Sequence, residues 1–327
     1  MPDIARQHDA RPQFGILLPT REQAIVGTLD AEPLLDFARR AESLGYDSLW
    51  AGDSLVARPR LDPLVVLAAA AATTRRIGLG TAALTPALRN PLIGANLITS
   101  LDHVSAGRLT LGLGSGFPIP ETEREFAAVG ASFRGRAGHL DEVVELWRRA
   151  WRGDRSEVDD GGADADIPDT DRLLRPARAG GPPLWLAGSD TPAVLRRVAR
   201  RYDGWLPFLP SSDQYAKAWQ RIGELSEAAG RPANAVTPGL YATLIVHRDE
   251  AVAKAELSEY TRRYYRRSLA EMASFQAYCW GPADKCAKWL SEYVQAGARH
   301  IVLRVGSLRP GDALEEIAET VLPAVRH

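Results

Sequence analysis

RLTLGLGSGFP, residues 108–118, carries glycine at alternate positions, Gly112, Gly114 and Gly116, behind an apolar lead-in. A dinucleotide fingerprint needs Gly-x-Gly-x-x-Gly running into a helix. Here the sixth position from Gly112 is Phe117 and Pro118 follows, so that fingerprint is absent. No Gly-Lys-Ser/Thr follows either, which removes a P-loop. The stretch reads as a buried strand that loses its side chains at its C-terminal end, where glycine permits close approach by another backbone or a ligand.

Working outward, strand-like and helix-like segments alternate along the chain. Strands begin near residues 14, 48, 77, 108, 183, 204, 239 and 300, with helical periodicity between them, as in AEPLLDFARRAESLGY at 31–46. Such alternation predicts right-handed βαβ units and a parallel sheet. Eight units in this length predict a closed (β/α)8 TIM barrel with insertions after strand four and near strand seven. A doubly wound open sheet is the runner-up, but the first turn, LLPTREQ, is not the glycine-rich turn it prefers. Barrel sites lie at the C-terminal ends of the strands. The glycines of 108–118 therefore lie at the mouth.

Residues 1–12 read as a disordered tail and 13–327 as one barrel domain. Three segments break the rhythm, at about 117–138, 152–181 and 260–280. The second carries the acidic run DDGGADADIPD, read as a solvated loop. The third is rich in aromatic residues and reads as either a substrate wall or a packed satellite helix.

Composition narrows the function. Of 327 residues, 45% are hydrophobic and 25% charged, with a formal net charge of −1. No basic field argues for nucleic acid, and no apolar run reaches the length of a membrane span. The polar N-terminus lacks an apolar signal core. Cys279 and Cys286 have no CxxC or histidine cluster around them and read as ordinary thiols of a reducing cytoplasm, with no metal site. Strand-end segments contain no lysine or paired glutamates, which disfavours an aldolase or phosphosugar isomerase. Among the histidines, only His247 falls at the mouth.

The chain resembles the bacterial luciferase-like superfamily of flavin- and deazaflavin-dependent oxidoreductases. The matching stretches are LLDFARRAESLGYDSLWAGD (34–53), IGLGTAALTPALRNP (77–91), TSLDHVSAGRLTLGLGSG (99–116), PPLWLAGSDTPAVLRRVARRYDGWLP (182–207) and GPADKCAKWLSEYVQAGARHIVLRV (281–305). The resemblance implies a (β/α)8 barrel that binds FMN or the deazaflavin F-420 in its mouth. It places a non-proline cis peptide at Ala82 and Ala83, after Thr81, against the ring. Asp53 would touch the polar edge of the ring. Ser54 stands where relatives often have histidine, which makes Asp53, Ser54 and His247 the candidate catalytic residues. The bland reading of Asp53 is a helix cap or an ion pair with Arg58 or Arg60. Gly114, Ser115 and Gly116 would flank the ring or ribityl chain, and Gly188 and Ser189 would receive the phosphate at a helix start. Phe117, Phe208, Tyr264, Tyr278 and Trp280 are candidates for an apolar or aromatic substrate pocket.

Three functions follow from the resemblance. The first is a monooxygenase using oxygen and reduced FMN supplied by a separate reductase. The second is an F-420-dependent hydride-transfer enzyme, towards which Ser115 leans because some FMN-binding relatives have arginine there. The third is a non-catalytic flavin-binding barrel. The resemblance also implies a homodimer through helices two and three.

Overall fold

The apolar runs become parallel strands because each is buried on both faces, by the barrel interior and by the helices outside. In the computed structural model, which describes residues 11–152 and 173–326, these are β1 (Gln13–Leu17), β2 (Ser48–Ala51), β3 (Gly78–Leu84), β4 (Leu109–Leu113), β5 (Leu184–Ala187), β6 (Gly204–Leu206), β7 (Thr237–Val246), β8 (Ala277–Gly281) and β9 (His300–Val305). Neighbours run β6-β5-β4-β3-β2-β1-β9-β7, and a β6–β7 pairing closes the ring. Eight strands thus form a closed parallel barrel with helices around it. The tail at 1–10 and the acidic run within 153–172 lie outside the described residues.

β8 is the departure from the expected eight. β6 ends at Leu206, so it pairs with β7 only at Thr237 and Pro238. The upper half of β7 would be left with an open edge. β8 fills it in parallel, from Ala242 opposite Ala277 to Val246 opposite Gly281. The Ala277 amide also donates to the Phe208 carbonyl at 2.8 Å. The aromatic segment at 260–280 is therefore not a single satellite helix, and Tyr264, Tyr265 and Phe275 from it line the barrel mouth. It holds the end of helix Glu250–Tyr265, a short helix Leu269–Ala273 and most of β8. The insertion after β4 folds as helix Pro120–Ala128 before helix Arg136–Arg152.

Two tryptophans plug the foot of the barrel. Trp50 and Trp185 have ring centroids 5.5 Å apart and pack with Leu17, Leu206 and Val302. Glycines opposite them make the room. A Cβ on Gly15 or Gly80 would come within 2.4 Å of Trp50, and one on Gly204 within 2.4 Å of Trp185. The interior is a filled core, as barrels of this size require. Outside, Asp62 and Asn90 each accept two backbone amides ahead of a proline, starting helices Pro63–Thr73 and Pro91–Val104. No helix among the described residues is long and apolar enough to cross a membrane.

Candidate active site at the mouth of the barrel

All barrel strands point the same way, so their C-terminal ends gather at one mouth. The end of β3 is irregular. Its register with β4 shifts between Thr81, opposite Leu111, and Leu84, opposite Leu113. The peptide bond between Ala82 and Ala83, inside this bulge, is cis. The bulge brings the Thr81 carbonyl against β4, where a Cβ on residue 112 would lie 2.2 Å from it. Gly112 is required by that close approach, and Thr81 Oγ1 donates back to the Gly112 carbonyl at 2.9 Å. Beyond it, Gly116 has φ +88°, a left-handed conformation that favours glycine.

After β2 comes Asp53. Its Oδ2 accepts from the Thr85 amide at 2.9 Å and from Arg89 Nη1 at 2.6 Å, and its Oδ1 from Arg89 Nη2 at 3.1 Å. The partner is Arg89, not Arg58 or Arg60. Arg89 also binds Asp62 at 2.6 Å. Burial alone would lower the Arg89 pKa, but its bonds and attraction to Asp53 and Asp62 outweigh that and raise it. Asp53 thus anchors β2 to the segment after β3, and its lone pairs are largely committed.

The following loop is held from a distance. Glu125, buried on helix Pro120–Ala128, accepts at one oxygen from Ser54 Oγ at 2.9 Å and from the amides of Leu55, Val56 and Ala57 at 2.5, 2.8 and 3.2 Å. Ser54 Oγ accepts in turn from the Arg58 amide at 2.8 Å. This places Arg58 and Arg60 at the mouth.

Across from them, Arg304 rises from β9 with a side chain that is almost wholly buried. It donates to Thr243 Oγ1, to Tyr265 Oη at 2.5 Å and to Tyr278 Oη at 3.2 Å. Its guanidinium lies 4.9–5.4 Å from the ring centroids of Tyr241, Tyr260, Tyr264 and Tyr265. Burial holds the phenols of Tyr241, Tyr260 and Tyr278 well above their usual pKa, so they are neutral.

These parts bound two adjoining chambers. The inner one, about 190 Å³, is lined by Asp53, Arg58, Arg60, Ala82, Ala83, Tyr264 and Arg304 among others. The outer one, about 710 Å³, runs past Gly114, Ser115, Gly116, Arg136, Gly188 and Ser189. Ala83, Ala187 and the rings of Phe117, Phe208 and Phe275 border both. Phe117 is 6.2 Å from each of the other two rings, forming a waist. At the far end, helix Pro192–Arg201 starts without a side-chain cap, since the Thr191 hydroxyl makes no capping bond. Its first amides are open to an anion, with Gly188 and Ser189 beside them.

Of the residues singled out in the sequence, the structure gathers Asp53, Ala82, Ala83, Gly114, Ser115, Gly116, Gly188, Ser189, Phe117, Phe208 and Tyr264 around these chambers. Thr81 is fully buried and ties β3 to β4 instead. Four others belong elsewhere. Tyr278 sits beneath Arg304 and lines a separate cleft with Cys279, Trp280 and Lys285. Trp280 lies on that outer face, 5.5 Å from Lys285. His247 bonds through Nδ1 with Asp249 at the start of helix Glu250–Tyr265. Ser54 fixes its loop. Sequence reading missed Arg304 and Glu125. The signal for Arg304 is a charge inside the apolar run HIVLRV, whereas Glu125 has none, because its partners are about seventy residues away.

Residues 13–300 match the family model of luciferase-like monooxygenases, and the chain belongs to that family. It is 29% identical to an F420-dependent glucose-6-phosphate dehydrogenase of Kineococcus radiotolerans, over 90% of this chain and 93% of that protein. It is 31% identical to a 4-hydroxyprotoasukamycin monooxygenase of Streptomyces nodosus, over 60% of this chain and 54% of that protein. Among solved structures, monooxygenase RslO1 from Streptomyces bottropensis superposes with a TM-score of 0.74 at 24% identity, over 95% of this chain and 99% of that one. These relatives are oxidoreductases, and they divide between dehydrogenases and monooxygenases.

Proposed function

We propose that this protein is an oxidoreductase that holds a deazaflavin, F-420, with its ring against Ala82–Ala83 and its phosphate at Gly188–Ser189. The observation that carries this is the two-chambered cavity, with the bulge of β3 on one side and an uncapped helix start at the far end. The donor set fits an elongated ligand that is planar at one end and anionic at the other. When bound, such a group supplies two-electron transfer at its ring.

The chain's own residues do the rest. Ala82, Ala83 and Gly114 present backbone and methyl groups to a flat face. Phe117, Phe208 and Phe275 narrow the passage and exclude water. Asp53, engaged by Arg89 and the Thr85 amide, acts as an anchor and not as a base. Tyr265 accepts a hydrogen bond from Arg304 and lines the inner chamber, so its own hydroxyl proton is the one best placed for donation to a substrate oxygen. Tyr265→Phe is expected to lower kcat by roughly 100-fold with little change in cofactor affinity. An unchanged kcat would remove Tyr265 from the reaction.

A second reading, an oxygen-using monooxygenase fed with reduced FMN by a separate reductase, draws support from the likeness to the 4-hydroxyprotoasukamycin enzyme. Against it, an inner chamber lined by arginines is a poor dry pocket for oxygen chemistry. Anaerobic titration of the purified protein with reduced F-420 and reduced FMN, followed by admission of air, separates the two. Selective F-420 binding without oxygen uptake supports the first reading. Selective FMN binding with oxygen uptake supports the second. Binding of neither would sink both.

We also propose a homodimer. Helices Pro63–Thr73 and Pro91–Val104 turn Val65, Ile93, Leu97 and Val104 outward at 69, 60, 43 and 55% exposure, an apolar face suited to a second copy.

A further inference from the structure

We propose that the inner chamber binds the substrate through an oxyanion, a phosphate monoester or a carboxylate, held by Arg58, Arg60 and Arg304. This deepens the oxidoreductase reading and rests on it for the word substrate.

Positive charge is concentrated in the inner chamber. Tyr264 and Tyr265 pack with ring centroids 4.6 Å apart. Around this pair, Arg58 lies 4.9 Å from the Tyr265 ring, Arg60 lies 5.9 Å from the Tyr264 ring, and Arg304 lies 4.9 and 5.2 Å from the two. All three guanidinium groups border one cavity. None of them has a carboxylate within 4.0 Å among the described residues. Within the fold, Arg60 donates to the Arg58 carbonyl and Arg304 donates to hydroxyls. Asp53, the only acid lining the chamber, is neutralised by Arg89. Arg267, a fourth arginine there, is paired with Glu271. Behind the chamber, Glu22 is spent on Tyr260 at 2.6 Å through one oxygen, and Arg21 adds another positive charge beside Arg60.

Like charges gathered in a half-dry cleft repel; Glu22 and the tyrosines behind them offset part of that cost, but no carboxylate pairs with these guanidinium groups inside the chamber. A ligand oxyanion would, and guanidinium forks match the oxygens of carboxylate and phosphate. The sequence reading of an apolar pocket accounts for the phenylalanine waist but not for this arginine end. A molecule with an apolar body and an anionic head fits both.

The test is calorimetric titration with phenyl phosphate, benzoate and the neutral benzyl alcohol, with and without reduced cofactor, in buffer free of phosphate. The expected result is binding of at least one anion, weakened by added salt, and no binding of the alcohol. Arg58→Gln/Arg60→Gln, at partly buried positions of the loop after β2, should weaken anion binding by about tenfold or more, and Arg304→Lys should weaken it while keeping the fold. Phenyl phosphate above benzoate assigns a phosphate ester, and the reverse a carboxylic acid. Equal binding of the alcohol, no binding of either anion, or anion binding unchanged in the double variant overturns the proposal. The last outcome would move the anion to the Gly188–Ser189 turn. If the wild type binds anions but no cofactor, the oxidoreductase reading fails and the arginine site stands.

Discussion

Single side chains at the mouth work by reaching across the chain. Glu125 collects one hydroxyl and three amides of the loop after β2. Glu125→Ala strips that loop of its charged acceptor, a loss of about 2 kcal/mol. We expect a lower melting point and weaker anion binding together; a variant with unchanged melting would show that the loop is held otherwise. His300, at the foot, gives a pH signature. Burial lowers its pKa to about 4, with Nε2 on Ser48 Oγ at 2.7 Å. The unfolded chain takes up this proton near pH 6.5 and the folded one only near 4. Stability from this group is therefore full above about 6.5 and is lost as pH falls towards 4. His300→Gln should flatten that part of the melting-temperature profile. An unaltered profile would mean that other groups set the acid limb.

At the scale of elements, the glycine-rich end of β4 is shaped by its neighbour strand. Gly112→Ala sets a methyl 2.2 Å from the Thr81 carbonyl, so the β3 bulge must shift. A cost of about 1–3 kcal/mol is expected from denaturant melts, with cofactor affinity falling because Ala82–Ala83 moves too. Unchanged stability would show that the bulge is loose. The eight barrel strands were legible because continuous apolar runs bounded by turn residues repeat at regular intervals. β8 was not, because Ala277–Gly281 is short and its reason for being a strand is the edge that β6 leaves on β7. Helix Thr20–Val26 was equally hidden, since Pro19 supplies no capping side chain. The backbone side of the site, Ala82–Ala83 and Gly188–Ser189, could be placed through the resemblance. The arginine end could not, because it takes three distant segments to build it.

For the whole molecule, closure of the ring brings β9 beside β1 and so carries Arg304 to the same mouth as the loop after β2. The proposed dimer is tested by Ile93→Glu, which should convert a two-copy species into one copy in sedimentation while leaving the fold intact. A wild type that sediments as one copy would refute it. The tether from Glu125 has a further consequence for how such barrels diversify. The segment after strand two and the excursion after strand four are bonded to each other through Glu125 and so depend on each other. A graft that exchanges only one of them between relatives would import a new lining with no hand to hold it, whereas moving both transfers a working selectivity module. Recombination within the family is then constrained less by where the active residues lie than by which loops are stitched to each other.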